Sequence, residues 1–165
     1  PKTHDTVIAT LSIKNVVVGA ILPRDRSKIH QGYKAINLSL AYLATFLMPK
    51  LALIDGYIGM EGDGPIGGRP IKLGLALGGR NALTVDAATA ALMGFNPRDI
   101  GYFNYLSEWG YGCIDPEKLE VVGLEDWLKY RRCFEPHSTY RHQLNWRLTP
   151  QEKREVEKEL HGLLR

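Results

Sequence analysis

Cysteine is nearly absent. Cys113 and Cys133 are the only two in 165 residues, and no Cys-x-x-Cys pair occurs. That excludes a four-cysteine iron–sulfur or structural zinc site made from this chain alone. Two buried, reduced thiols in a cytoplasmic compartment are expected rather than a disulfide. Long apolar runs are missing as well. No stretch reaches the roughly 18 residues that a membrane span requires, and no basic start followed by an apolar run suggests export, so no membrane partner is expected. Charge of one sign is also scarce: 21 Lys and Arg face 18 Asp and Glu, a net +3. Without a patterned basic face this argues against nucleic acid as a partner and leaves small anionic molecules open.

What is present has the balance of a folded chain, with 44% hydrophobic and 24% charged residues, near the globular average. A chain of this size can bury one sizeable core, about 70% of its unfolded surface. It opens at Pro1-Lys2-Thr3-His4 without a methionine, as a piece of a longer protein would. A homo-oligomer or a missing amino-terminal portion is therefore left open.

Residues 6–22 are too crowded with Val and Ile to show a period of 2 or 3.6. Helix or strand stays undecided there. Ile36 to Leu47 predicts a mostly buried helix ending before Pro49. Leu51 to Ile54 predicts a short buried strand that feeds a glycine-rich loop, and Ile71 to Leu77 a second strand. The alanine-rich run 81–94 predicts a helix stopped by Gly94. Residues 97–110 predict another helix with an aromatic face, and Leu119 to Val122 a strand. Alternating strands and helices define an α/β fold, a layered sheet with flanking helices. The division expected is an α/β core over 1–123 and an aromatic, basic segment over 124–165, packed on the core or a partner. Within that segment Thr149-Pro150-Gln151-Glu152 is a capping box, opening a C-terminal amphipathic helix with the stripe Val156, Leu160, Leu163 and Leu164.

Residues 55–68 read Asp-Gly-Tyr-Ile-Gly-Met-Glu-Gly-Asp-Gly-Pro-Ile-Gly-Gly. Such glycine density usually marks positive φ or a backbone pressed close to a ligand. Asp55, Glu61 and Asp63 are candidate ligands for a divalent metal, while backbone N–H groups at Gly62, Gly64, Gly67 and Gly68 could cradle an anion or cofactor. A structural loop with capping carboxylates explains the run equally well. His4, Lys14 and His30 supply groups that move protons, hold an anion, form an imine or ligate a metal. Arg24, Arg26, Lys28 and Lys34 around His30 could attract a phosphate or carboxylate, but such a charge run is more often a solvated face. Asp86, in an otherwise apolar helix, needs a partner and should cap a backbone turn or face the site.

Together, Lys2-Thr3-His4, Lys14-Asn15, His30, Asp55-Gly56, Glu61 to Gly68, Val85-Asp86-Ala87 and Leu92-Met93-Gly94 resemble the family called domain of unknown function 362. The resemblance runs from Pro1 to about Gly123. It implies a longer parent domain, in some members joined to ferredoxin-like cluster domains that this chain lacks. The spacing of His4, Lys14 and His30 is also similar to that in lactate racemase. That likeness implies His4 as acid/base, Lys14 as cofactor anchor and His30 as metal ligand. The expectation is an enzyme fragment with catalytic His4 and Lys14, a cofactor site at Asp55, Gly62, Gly64, Gly67 and Gly68, and metal ligands His30, Glu61 and Asp63. It would bind a small anionic metabolite with a metal or cofactor. The rival expectation is a non-catalytic structural or interaction module, associated with iron–sulfur domains elsewhere.

Overall fold

The computed structural model describes residues 1–163. The chain opens with a short hairpin, β1 (Lys2–His4) and β2 (Ile8–Thr10), followed directly by α1 (Ser12–Ala20). The undecided stretch is thus strand and then helix. A short 3₁₀ segment leads to α2 (Tyr33–Leu47), then to two long strands, β3 (Ala52–Asp63) and β4 (Gly67–Gly79). Next come α3 (Ala82–Leu92), α4 (Gly101–Glu108), a short α5 (Tyr140–Gln143) and α6 (Pro150–Leu163). The four strands form one mixed sheet in the order β2-β1-β3-β4. β1 runs parallel to β3, with Lys2 opposite Met60, and the other pairs are antiparallel.

The glycine-rich run is therefore a β-ribbon and not a loop, and only Gly64, Pro65 and Ile66 separate its two strands. Burial along β3 alternates through Ala52, Leu53, Ile54, Asp55 and Gly56, then places Tyr57 and Ile58 both outward. A register shift between Gly56 and Ile58 accounts for the break, as a bulge inserts one extra residue and resets the alternation. Glycine is required here by neighbouring protein. A Cβ on Gly59 would lie 2.8 Å from the Phe134 ring, and one on Gly64 would lie 2.4 Å from the Thr3 carbonyl oxygen.

α3 is buried along almost its whole length, with Leu83, Ala87 and Ala90 fully enclosed. Its alanines let α1, α4 and the sheet approach on several sides at once. Asn81 caps it by accepting from the Thr84 N–H. The aromatic face of α4 is core: Tyr102, Phe103 and Leu106 are fully buried. Leu119 to Val122 forms no strand. It finds no neighbouring strand to pair with, and Val122 is 91% exposed. Cys113 is half-buried and Cys133 exposed, so neither is the buried thiol expected, although both are free.

The segment after 130 crosses the molecule. Arg132 and Phe134 N–H groups donate to the Leu92 and Met93 carbonyls at the end of α3. Glu135 accepts from Gly62 N–H, and its own N–H donates to the Glu61 carboxylate. The capping box of α6 forms as its sequence predicts: Glu152 N–H donates to Thr149 Oγ1, and Thr149 N–H donates to the Glu152 carboxylate at 2.7 Å. Those bonds and Lys34 hold the Glu152 pKa down at about 2. Lys34 to Glu152 and Lys153 to Glu108 tie the start of α6 to α2 and α4. The distal stripe of Leu160, Leu163 and Leu164 lies outside the described side chains. Among the described residues no helix is long and apolar enough to cross a membrane.

Candidate functional site

His4 is the last residue of β1, and Lys14 lies in the first turn of α1. The hairpin and the helix it feeds bring the two together: Lys14 Nζ is 3.0 Å from His4 Nε2, and each residue is only 6% exposed. Burial, then the Lys14 charge, pushes the His4 pKa down to about 3. Burial also lowers the Lys14 amine to about 8, against partial support from Asp5. A lysine so placed is poised to lose its proton near neutral pH, where an exposed one would stay charged.

The far ring nitrogen is engaged as well. His4 Nδ1 is 3.2 Å from the Thr6 N–H, 3.0 Å from Thr6 Oγ1 and 2.8 Å from an Asp5 carboxylate oxygen. Two proton arrangements fit these partners. With Lys14 charged, Nζ donates to Nε2, and Nδ1 carries its proton toward Asp5 or Thr6 Oγ1. With Lys14 neutral, Nε2–H donates to Nζ, and Nδ1 accepts from the Thr6 N–H. Nζ can thus meet Nε2 in either protonation state of Lys14, as donor or, when neutral, as acceptor.

The turn between β1 and β2 is held from far along the chain. Gln143, buried in α5, donates from Nε2 to the His4 carbonyl at 2.8 Å and accepts from the Ile8 N–H through Oε1. Thr139 Oγ1 donates to the Asp5 carbonyl at 2.7 Å. These clamps support a strained backbone, because Ile8 has φ +66°, a conformation that β-branched residues avoid. From the other side Asp86 caps α1. Its Oδ1 accepts from Ser12 N–H and Oγ, and its Oδ2 from Ile13 N–H at 3.0 Å. Burial raises its pKa to about 6 despite those bonds. Asp86 therefore caps a backbone turn, one of the two roles expected of it, and fixes the helix that carries Lys14. Gln143 and Thr139 had no sequence signal, since 135 and 134 residues separate them from the groups they hold; Asp5 and Thr6 are ordinary polar turn residues in the sequence.

The other candidates bond to groups outside the pair. His30 is exposed, with Nδ1 2.8 Å from the Arg26 carbonyl oxygen. Its charge still reaches His4. The surrounding basic residues are partly neutralised, Lys28 and Arg24 by Asp25 and Lys34 by Glu152. Asp55 caps the Tyr57 N–H. Glu61 accepts from Glu135 N–H and pairs with Arg69, while Asp63 accepts from Ser138 N–H at 2.8 Å. Gly62 alone of the four glycines expected to hold a cofactor has positive φ, at +75°. Its N–H already serves Glu135. Among the described residues no three His, Cys, Asp or Glu side chains gather as a metal site would require.

A mixed α/β protein with a buried histidine–lysine pair at the end of a clamped hairpin is the class that fold and site define. The chain belongs to the family described as Domain of unknown function (DUF362), whose model matches residues 1–91. The match contains His4, Lys14, His30, the glycine-rich ribbon and Asp86, whereas Thr139 and Gln143 lie beyond it. No curated protein and no solved structure matches the chain. The likeness to lactate racemase rests on the spacing of three residues alone.

Proposed function

We propose that this chain carries the proton-transfer centre of an enzyme acting on a small anionic metabolite. The observation that supports it is the enclosed 3.0 Å contact between Lys14 Nζ and His4 Nε2. Lys14 is the base when neutral and the electrostatic partner of an anion when charged. His4 passes the proton between Nζ and the Asp5–Thr6 side of the ring, and burial keeps the ring uncharged. Gln143, Thr139 and Asp86 act as positioning residues. NMR titration of the Lys14 Cε and the His4 ring tests the pair: midpoints near 8 and well below 6.5 are expected. A Lys14 titrating near 10.5 refutes this function. Deuterium uptake into the α-carbon of small carboxylic acids in D₂O, lost in His4→Gln, would extend the result to catalysis.

A second reading, an interaction module, draws on a different observation. Leu51, Leu53, Tyr57 and Ile58 present an exposed apolar face on β3 and its approach, with Leu53 74% exposed. Sedimentation of wild type and Leu53→Asp decides whether that face assembles copies of the chain.

A further inference from the structure

A cavity of about 390 Å³ opens between β1, β2, α1 and the ribbon, lined by Pro1, Lys2, Thr10, Asn15 and the Ile58–Met60, Gly68 and Pro70 parts of the ribbon. That volume lies in the range of small-molecule sites. Its polar lining has no other employment among the described residues. Lys2 makes no ion pair and Asn15 no side-chain hydrogen bond, while Thr10 Oγ1, on a residue 5% exposed, is buried without any partner. A buried hydroxyl left unpaired is costly and calls for an explanation. Lys2 and Thr10 face each other across β1 and β2. Lys2 lies two residues from His4 on β1, about 7 Å along one face of the strand. Its charge is felt by both members of the pair. Asn15 follows Lys14 directly in α1. The opposite wall is apolar, with Ile58, Met60 and Pro70.

We infer that this cavity is the subsite for a short-chain organic carboxylate, with Lys2 and Thr10 holding the carboxylate, Asn15 adding a donor, and Ile58, Met60 and Pro70 receiving the apolar chain. One unpaired ammonium and one hydroxyl match a monoanion better than a phosphate dianion. The apolar wall gives no polar partner to a second charged end. This inference deepens the proposed function, because it rests on the pair carried by the same strand and helix as Lys2 and Asn15 as the reacting centre, and names the substrate class brought to it.

The experiment is a ¹⁵N–¹H NMR titration of the chain with hexanoate, hexylamine and inorganic phosphate. Saturable shifts of the Thr10 and Asn15 amides with hexanoate, and none with hexylamine, are expected. Lys2→Met should weaken hexanoate about tenfold, the worth of one charge-assisted hydrogen bond. Thr10→Val, nearly isosteric and suited to a strand, should weaken it several-fold with the fold intact. Absence of a saturable hexanoate shift, wild-type affinity in both variants, or a stronger response to phosphate at the same amides overturns the assignment. Any of these outcomes leaves the titration of Lys14 untouched. Conversely, a Lys14 midpoint near 10.5 removes the proton-transfer centre without altering hexanoate binding.

Discussion

Replacing Lys14 by methionine should make the protein more stable at neutral pH, not less. The amine is lowered from 10.5 to about 8 in the folded chain, chiefly by burial. At 1.36 kcal/mol per unit, the folded state therefore bears a cost of about 3 kcal/mol for keeping Lys14 charged. Below pH 8 both folded and unfolded chains carry the proton, and the cost is fully present. Between pH 8 and 10.5 the unfolded chain holds a proton that the folded chain has released, so wild-type stability rises with pH across that window. Methionine of similar length has no such cost. It leaves His4 Nε2 without its partner, a loss of about 1 kcal/mol. The net expectation for Lys14→Met is a gain of about 2 kcal/mol at pH 7, shrinking to nothing or a small loss above pH 10. Urea unfolding at pH 7 and pH 10 measures it, with the slope against urea checked for constancy. In the same variant the His4 pKa should rise from about 3 yet stay below 6.5, because burial is its larger cause. Equal destabilisation at both pH values would show that Lys14 is a structural residue carrying no electrostatic strain, and would refute the reasoning.

Two further outcomes test the scaffold of the site. Gln143→Leu should cost about 2–4 kcal/mol in urea unfolding, because it strands the buried His4 carbonyl and Ile8 N–H together; Gln143→Glu should restore the bond from Ile8 but not the one to His4. An undiminished stability in Gln143→Leu would show that the hairpin holds itself. Gly64→Ala should cost about 1–3 kcal/mol through overpacking against Thr3, while Gly62→Ala is strained by its positive φ with no contact to relieve. A thermal melt in which neither substitution lowers the midpoint would return these glycines to a role toward ligand.

Much of the scaffold was legible in the chain. The helix at α2, the alanine-rich α3 with its Gly94 stop, the aromatic core face of α4 and the capping box of α6 all follow from local periodicity and local hydrogen-bond chemistry. The α/β class and the family both follow from the residues as written. The ribbon was not legible, since glycine conveys only that a Cβ is unwelcome and cannot say whether a ligand or another strand excludes it. Here Leu75, Phe134, Thr3 and Met60 are the excluding neighbours. The carboxylates of Glu61 and Asp63 look like metal ligands in isolation, but in the fold they cap backbone groups of the crossing segment. The burial that separates His4 from His30 is likewise a property of the assembled molecule.

By itself, then, the sequence determined the helices at α2, α3, α4 and the start of α6, which family the chain joins, and that histidine and lysine ten positions apart are worth examining. Only the tertiary structure decided that His4 and Lys14 touch, that Asp86 caps the helix carrying Lys14, and that Gln143 clamps the hairpin carrying His4. The reason is physical: a helix or a cap is fixed by neighbours in the chain, whereas a lowered pKa needs desolvation, and desolvation requires residues from every part of the fold to close around the same two nitrogens.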